Sequence, residues 1–383
     1  MSRGPLPGLL VLASTTFIGV VTESMPIGLL PQIADDLGVR ESTVGLTVSG
    51  YALVVALTAA PLTAYTARIS RRRLLASLLA IYAVCNVATA LAPTFEVLAC
   101  ARVVGALAHG IFWSIVVPYA AGLVPRERIG WATSIALAGG SSAIALGVPL
   151  GTALGVAVGW RGTFLVVAGV TTVIGLGALL LLPDRAGAPV RGEGIGRAIG
   201  EPLVRRQLAL ITLLVIAYFS LYTYVAPYVQ QRSGISEGLT SVVLFLAGFA
   251  GVIGTLLAGR ILDRRPLLTF MAGAALLLGG FVVLLGFGRL AGGAVVAFVL
   301  IGGGFSPMPI ALQQPLLRVP SDIADTAVAL FTTAFNVGIF GGGLLGGLVL
   351  DTAGLAWLPV LGLPLLVVAV GLRARPEPRL LHL

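Results

Sequence analysis

Thr63-Ala64-Tyr65-Thr66-Ala67-Arg68-Ile69-Ser70-Arg71-Arg72-Arg73 closes one long apolar run, residues 43–66, and leads into the next, 74–92. A bilayer core takes about 20 apolar residues per crossing, and short cytoplasmic loops keep the arginines. Working outward from this stretch, the same alternation recurs along the chain. Twelve apolar runs are legible, at 8–31, 43–66, 74–92, 97–123, 132–156, 163–182, 207–230, 239–259, 267–287, 293–317, 326–349 and 355–372. Every second gap and both ends hold Arg3; Arg68, Arg71, Arg72, Arg73; Arg126, Arg128; Arg185, Arg191, Arg197, Arg205, Arg206; Arg260, Arg264, Arg265; Arg318; and Arg373, Arg375, Arg379. The other gaps hold Arg40, Arg161, Arg232 and Arg289, while Arg102 lies inside a run. The pattern predicts an all-α membrane protein of twelve transmembrane helices with both termini in the cytoplasm.

Composition excludes the soluble classes. The chain is 57% hydrophobic and 10% charged, with mean hydropathy +1.04, too little charge to cover a water-exposed surface. Its net charge of +9 resides in arginines strung along a membrane thread, with no continuous basic stripe. That basicity reports orientation and contact with anionic head groups, not nucleic acid. Cys85 and Cys100 both fall in predicted spans, so no disulfide framework is expected. The first run outlasts a signal peptide and lacks a convincing cleavage site, so it is read as span 1. Neither a cofactor nor a metal is implied, and the loops leave no room for a soluble catalytic domain.

The longest gap, 183–206, divides the runs six and six. The expected organisation is an N-terminal six-helix bundle over 1–182, a cytoplasmic linker over 183–206, and a C-terminal bundle with a short tail over 207–383. Glycines recur in equivalent places of the two halves: Gly147, Gly151 and Gly155 in span 5, and Gly338 to Gly347 in span 11. Small residues at such spacing let helices approach closely in lipid. The stretch quoted above also has a second-half counterpart, Gly259-Arg260-Ile261-Leu262-Asp263-Arg264-Arg265. Two matching six-span halves are the construction of alternating-access carriers.

With these residues in view, the chain resembles the major facilitator superfamily over 6–372, and within it the twelve-span drug:proton antiporters and related sugar or nucleoside exporters. Gly259-x-x-x-Asp263-Arg264 matches the superfamily's loop motif. In the first-half copy Thr63, Ala67 and Ser70 replace Gly, Asp and Gly, while Arg68, Arg71 and Arg73 remain. Gly147-Val148-Pro149-Leu150-Gly151 looks like the exporters' span 5 element, and Trp160-Arg161-x-x-Phe164 like the usual entry to span 6. The stretch Thr22–Pro31 and Ala108-His109-Gly110-Ile111-Phe112-Trp113 are most similar to the arabinose- and chloramphenicol-exporter branch. The resemblance implies conformational gating by Arg68, Arg71, Arg73, Gly259, Asp263, Arg264, Gly147, Pro149 and Gly151. The alternative for the arginines is that they only set orientation.

Glu23 is the leading functional candidate. It lies about two-thirds through span 1, far from any other charge, and an intramembrane carboxylate is costly unless protonated, paired or wetted. It reads as a proton site that competes with substrate, or as a structural acid. Arg102, at about the same depth in span 4, is expected either to pair with Glu23 or to snorkel to the outer head groups. His109 joins them as a proton-relay or packing histidine. Asn86, Trp113, Tyr218, Tyr222, Gln313 and Asn336 are the other expected substrate contacts, with Tyr224, Pro227 and Gln314 nearby. Tyrosines so deep in a span do not belong to an interfacial belt; they suit a cavity for an amphipathic organic compound.

The functional expectation is a proton-coupled exporter (an antiporter for a drug, sugar or nucleoside) in a bacterial plasma membrane, acting as a monomer by rocking of its two bundles. A proton-coupled importer is the alternative. One proton driven by 100 mV and one pH unit sustains a gradient of roughly a few hundredfold, enough to clear a toxic compound. An enzyme would need clustered ligands or a nucleophile–base pair at one depth, and a channel a continuous polar pore.

Overall fold

The computed structural model describes residues 5–186, 195–262 and 265–375, and these residues are helical with short connections. Asp263, Arg264 and His382 lie outside them. Lipid offers no partner for backbone N–H and C=O groups, so apolar runs of this length close their hydrogen bonds within helices. The helices are α1 Leu6–Leu37, α2 Glu41–Thr66, α3 Arg71–Ala90, α4 Phe95–Gly122, α5 Ile129–Ser142, α6 Val148–Leu181, α7 Ile195–Gly200, α8 Pro202–Tyr222, α9 Val225–Pro227, α10 Glu237–Leu262, α11 Pro266–Phe287, α12 Ala291–Phe305, α13 Pro307–Gln313, α14 Ser321–Thr352 and α15 Leu358–Ala374.

Among the described residues, eleven helical stretches are long and apolar enough to cross a bilayer. One of them, Ile129–Leu181, is 53 residues long, about 80 Å at 1.5 Å per residue. That is more than two bilayer cores, and it contains two spans. They meet at Gly159, whose φ of 74° and ψ of 163° belong to a region open essentially to glycine. The loop expected over 157–162 thus contracts to one non-helical residue, because a glycine there turns the chain without a linker. Counted on either side of Gly159, the described residues hold twelve spans.

Prolines mark other departures from straight helix. Pro149 cannot donate to the Ala145 carbonyl, and the backbone widens into a π turn over Ala143–Gly147 immediately before it. The run expected over 207–230 breaks between α8 and α9, four residues before Pro227, and the run over 293–317 breaks at Ser306, before Pro307. Gly38, at φ 63°, closes α1 with its N–H on the carbonyls of Ala34 and Asp35.

Contacts divide the chain into two compact units, 1–39 with 57–190 and 40–56 with 191–383. In the first, α1 packs on α5, α6 and α4, and α3 packs on α6 and α4. Van der Waals contact and close backbone approach hold helices together in lipid, where hydrophobicity no longer drives them. The α1–α6 seam shows how: a Cβ at Gly147, Gly151 or Gly155 would collide with Val21, Met25 or Leu29 respectively. Both rows step by four residues, so a ridge of α1 side chains fills a glycine groove. At one end of the unit, Arg161 ties three helices. Its guanidinium donates to Asp36 Oδ2 at 2.8 and 3.1 Å, and to the carbonyls of Ala90 and Ala92 at 2.9 and 2.7 Å. It also lies 4.3 Å from the Trp160 ring centroid.

In the second unit, α8 packs on α14 and α15, α11 on α12 and α15, and α10 on α12. The α8–α14 contact again depends on glycine: a Cβ at Gly346 would strike the Ser220 carbonyl. Tyr224 fastens the seam, its hydroxyl donating to the Gly343 carbonyl at 2.8 Å. Arg40, just before α2, pairs with Asp351 near the end of α14 at 2.8 Å.

Candidate functional site

Pro26 shapes the site before any charge is considered. A proline inside a helix has no N–H for the carbonyl four residues back, so α1 leaves Thr22 O without its intrahelical donor. Arg102 supplies one. From α4 its Nη1 donates to Thr22 O at 2.5 Å and its Nη2 to Glu23 O at 2.6 Å. The side chain does not snorkel to the membrane surface: Arg102 is only 4% exposed and turned into the unit. A carbonyl freed in hydrocarbon costs several kcal/mol, and a guanidinium, with donors fixed in a fork, answers two neighbouring carbonyls at once. The expected meeting of Arg102 and Glu23 therefore takes place at the Glu23 main chain.

The Glu23 carboxylate faces His109. Its Oε2 lies 3.4 Å from His109 Nε2, with Glu23 about one-fifth exposed and the imidazole buried. That same Nε2 accepts the indole N–H of Trp113 at 2.7 Å. His109 and Trp113 stand four residues apart on α4, one above the other on one face. On the other side of the ring, Nδ1 meets the Tyr82 hydroxyl at 2.8 Å. Asn86, one turn along α3 from Tyr82, donates from Nδ2 to Thr22 Oγ1 at 3.2 Å. Phe112 completes the wall, its ring centroid 6.1 Å from that of Tyr82 and 5.6 Å from that of Trp113.

The first unit thus gathers Thr22 and Glu23 from α1, Tyr82 and Asn86 from α3, and Arg102, His109, Phe112 and Trp113 from α4. Of these, Tyr82 is the residue that sequence reasoning passed over. Its signal was available, since it lies one turn from Asn86 and so on the same helical face.

The second unit carries an aromatic cluster. The Tyr218 ring stacks on Phe305, with centroids 3.7 Å apart and an interplanar angle of 11°, and on Tyr222 at 4.9 Å. Phe219 packs edge-on against Tyr222, Phe305 and Phe335. Tyr218 and Tyr222 are one turn apart on α8, as their spacing predicts, whereas Phe305, Phe219 and Phe335 went unread as three more phenylalanines in apolar runs. Gln313 is half-buried at the end of α13. Asn336 turns its amide back on its own helix, donating to Thr332 O at 3.0 Å. Tyr224, read as a cavity neighbour, is the seam fastener described above.

The residues expected to gate divide by location. Arg71 begins α3 and is buried, with its backbone N–H on the Arg185 carbonyl at 2.8 Å, and Arg72 pairs with Asp184 at 3.6 Å. Arg68 and Arg73 are exposed. Gly147, Pro149 and Gly151 line the α1–α6 seam and its π turn, and Gly259 lies near the end of α10.

Comparison with known proteins agrees with this architecture. The family model described as Major Facilitator Superfamily matches residues 12–343. A probable sugar efflux transporter of Helicobacter pylori (strain G27) is 34% identical over 356 residues, covering 92% of this chain and 90% of the relative. A chloramphenicol efflux pump of Mycobacterium tuberculosis (strain CDC 1551 / Oshkosh) is 36% identical over 356 residues, 90% of this chain and 86% of the relative. Among solved structures, an inward-facing, unoccupied bacterial homolog of the human lysosomal transporter Spinster shares the fold, with a TM-score of 0.73 and 15% identity over 97% of each chain. The protein is a multi-pass membrane transporter acting on small molecules, and not an enzyme.

Proposed function

Because the chain belongs to the Major Facilitator Superfamily, we propose that it is a proton-coupled antiporter that exports a small amphipathic organic compound from a bacterial cell by alternating access. One observation carries the proton coupling: a partly exposed carboxylate, Glu23, faces a buried imidazole, His109, at 3.4 Å inside a transmembrane unit. Intramembrane ionisable residues are costly, and a carboxylate beside an imidazole gives one proton two acceptors at the same depth. Because Glu23 is open on one side, an entering substrate can displace that proton, which is the exchange an antiporter requires. Trp113, Asn86 and His109 in this unit, and Tyr218 and Tyr222 in the other, are the proposed substrate contacts. Aromatic faces with a few hydrogen-bonding groups suit a drug-like or glycosidic compound. The sugar and chloramphenicol exporters among the relatives support export as the direction.

The remaining assignments follow the sequence. Both termini and the linker over 183–206 are placed on the cytoplasmic side, where the arginines gather, with a six-helix bundle on either side of the linker and the monomer as working unit. Arg68, Arg71, Arg73, Gly259, Asp263 and Arg264 at the loops, and Gly147, Pro149 and Gly151 in span 5, are proposed to gate the change of state.

Everted vesicles test the reading. Under an imposed pH gradient, labelled pentoses, nucleosides and drugs are followed with wild type and with Glu23→Gln. Accumulation of one class by wild type and its loss in the variant, with counterflow exchange kept, is the expected result. Undiminished gradient-driven accumulation by Glu23→Gln would remove the carboxylate from the mechanism.

A further inference from the structure

His109 Nε2 has one lone pair and two neighbours directed at it, and one of them can bond in only one way. An indole N–H donates and never accepts, so the 2.7 Å contact from Trp113 Nε1 requires Nε2 to be bare. The neutral ring must then carry its proton on Nδ1, where the Tyr82 hydroxyl, 2.8 Å away, accepts it. The indole contact, which can run in one direction only, dictates which tautomer is present. With Nε2 bare, an ionised Glu23 at 3.4 Å meets a lone pair and makes no hydrogen bond. A proton shared between Glu23 and His109 must lie on the line from Oε2 to Nε2, the position the indole N–H has taken.

From this geometry we infer that Trp113 is a positioning residue that fixes the tautomer of His109, and that its indole must release Nε2 before Glu23 and His109 can share a proton. The inference rests on the proposed coupling role of the pair and adds the element that makes proton uptake conditional. The proton balance is simple. One proton enters, Nε2–H forms toward Oε2, the indole N–H loses its acceptor, and Nδ1–H stays on Tyr82.

The groups facing the ring are consistent with such a two-position device. From α1 there is the Glu23 carboxylate, and from α3 the Tyr82 hydroxyl. Two turns away on α4, the Arg102 guanidinium is held by the main chain of Thr22 and Glu23. Trp113 is half-buried, so its ring has an open side toward which to turn. A substrate that stacks on the indole and holds its N–H on Nε2 would keep that nitrogen bare and the proton out, as exchange requires. Occupancy of the site and protonation of the pair would then be linked through a single bond.

The chain has two histidines, so in a His382→Ala background His109 is the sole source of imidazole signal. Protein carrying 15N-histidine, reconstituted without substrate or gradient, reports the protonation of each ring nitrogen by its chemical shift. Wild type at neutral to alkaline pH is expected to show bare Nε2 and protonated Nδ1. Trp113→Phe keeps the ring and deletes the donor. It is expected to move the balance toward protonated Nε2 by about fivefold, the equivalent of one ordinary net hydrogen bond. Tyr82→Phe, with the indole intact, is expected to leave Nε2 bare. Protonated Nε2 in wild type, or a Trp113→Phe spectrum with the wild-type balance, would overturn the inference. The wild-type spectrum decides the tautomer even if the variant does not fold. None of these spectra depends on efflux, so a failed vesicle experiment and a failed tautomer assignment are told apart.

Discussion

Replacing Arg161 tests how the first unit is tied at one end. Its guanidinium serves three helices, through Asp36 near the end of α1, the carbonyls of Ala90 and Ala92 at the end of α3, and the Trp160 ring beside it on α6. The ion pair contributes least. Arg161 and Asp36 side chains are 38% and 47% exposed, and pairs so open to solvent are worth about 0.5–1 kcal/mol. Two hydrogen bonds from a charged donor to part-buried carbonyls are worth roughly 2–3 kcal/mol together, and stacking on the indole adds about 0.5. Arg161→Ala should therefore cost about 3–4 kcal/mol, a several-hundredfold change in the unfolding equilibrium. Lysine keeps the charge but is a point donor without the fork, so Arg161→Lys should lose about half of that. Asp36→Ala should lose roughly 1 kcal/mol, since the carbonyl bonds remain. Unfolding of the purified protein by sodium dodecyl sulfate in mixed micelles, followed by circular dichroism, gives all three values on one scale. The reasoning is refuted if Asp36→Ala costs as much as Arg161→Ala, which would put the energy in the ion pair, or if Arg161→Ala costs nothing.

Two more substitutions probe the same unit. Gly159→Ala forces a Cβ into a backbone conformation that L side chains rarely adopt, at φ 74° and ψ 163°, and should destabilise by about 1–3 kcal/mol in the same micelle titration although no atom is in the way. Arg102→Leu removes the donor that replaces the N–H missing at Pro26, and should cost about 2–4 kcal/mol. In a Pro26→Ala background, where residue 26 can again donate to Thr22 O, that cost should fall by at least about 1 kcal/mol; additive double-mutant values would show that Arg102 does not substitute for the proline's missing N–H.

The chain states its spans and its unusual residues plainly. Burial in lipid is scored residue by residue, so hydropathy along the thread marks the crossings, and the arginines mark the gaps. Glu23, Arg102 and His109 stand out for the same reason, as ionisable groups in runs that otherwise exclude charge. The turn at Gly159 was less legible: a glycine among 51 gives no sign of which φ it adopts, and the expected loop proved to be one residue.

Partners were decided only in three dimensions. That Arg102 takes the carbonyls of Thr22 and Glu23, while the Glu23 carboxylate faces His109, depends on how α1 and α4 are rotated about their axes. The α1–α6 glycine seam constrains the rotation of α1, and depth along a span does not reveal it. Tyr82 and Phe305 are apolar residues in apolar runs until neighbouring helices bring them to His109 and Tyr218. Sequence alone determined what crosses the membrane and which groups are costly there, because those energies belong to single residues. Tertiary structure alone decided which group answers which, because a hydrogen bond belongs to a pair and its direction is fixed only when both helices are packed.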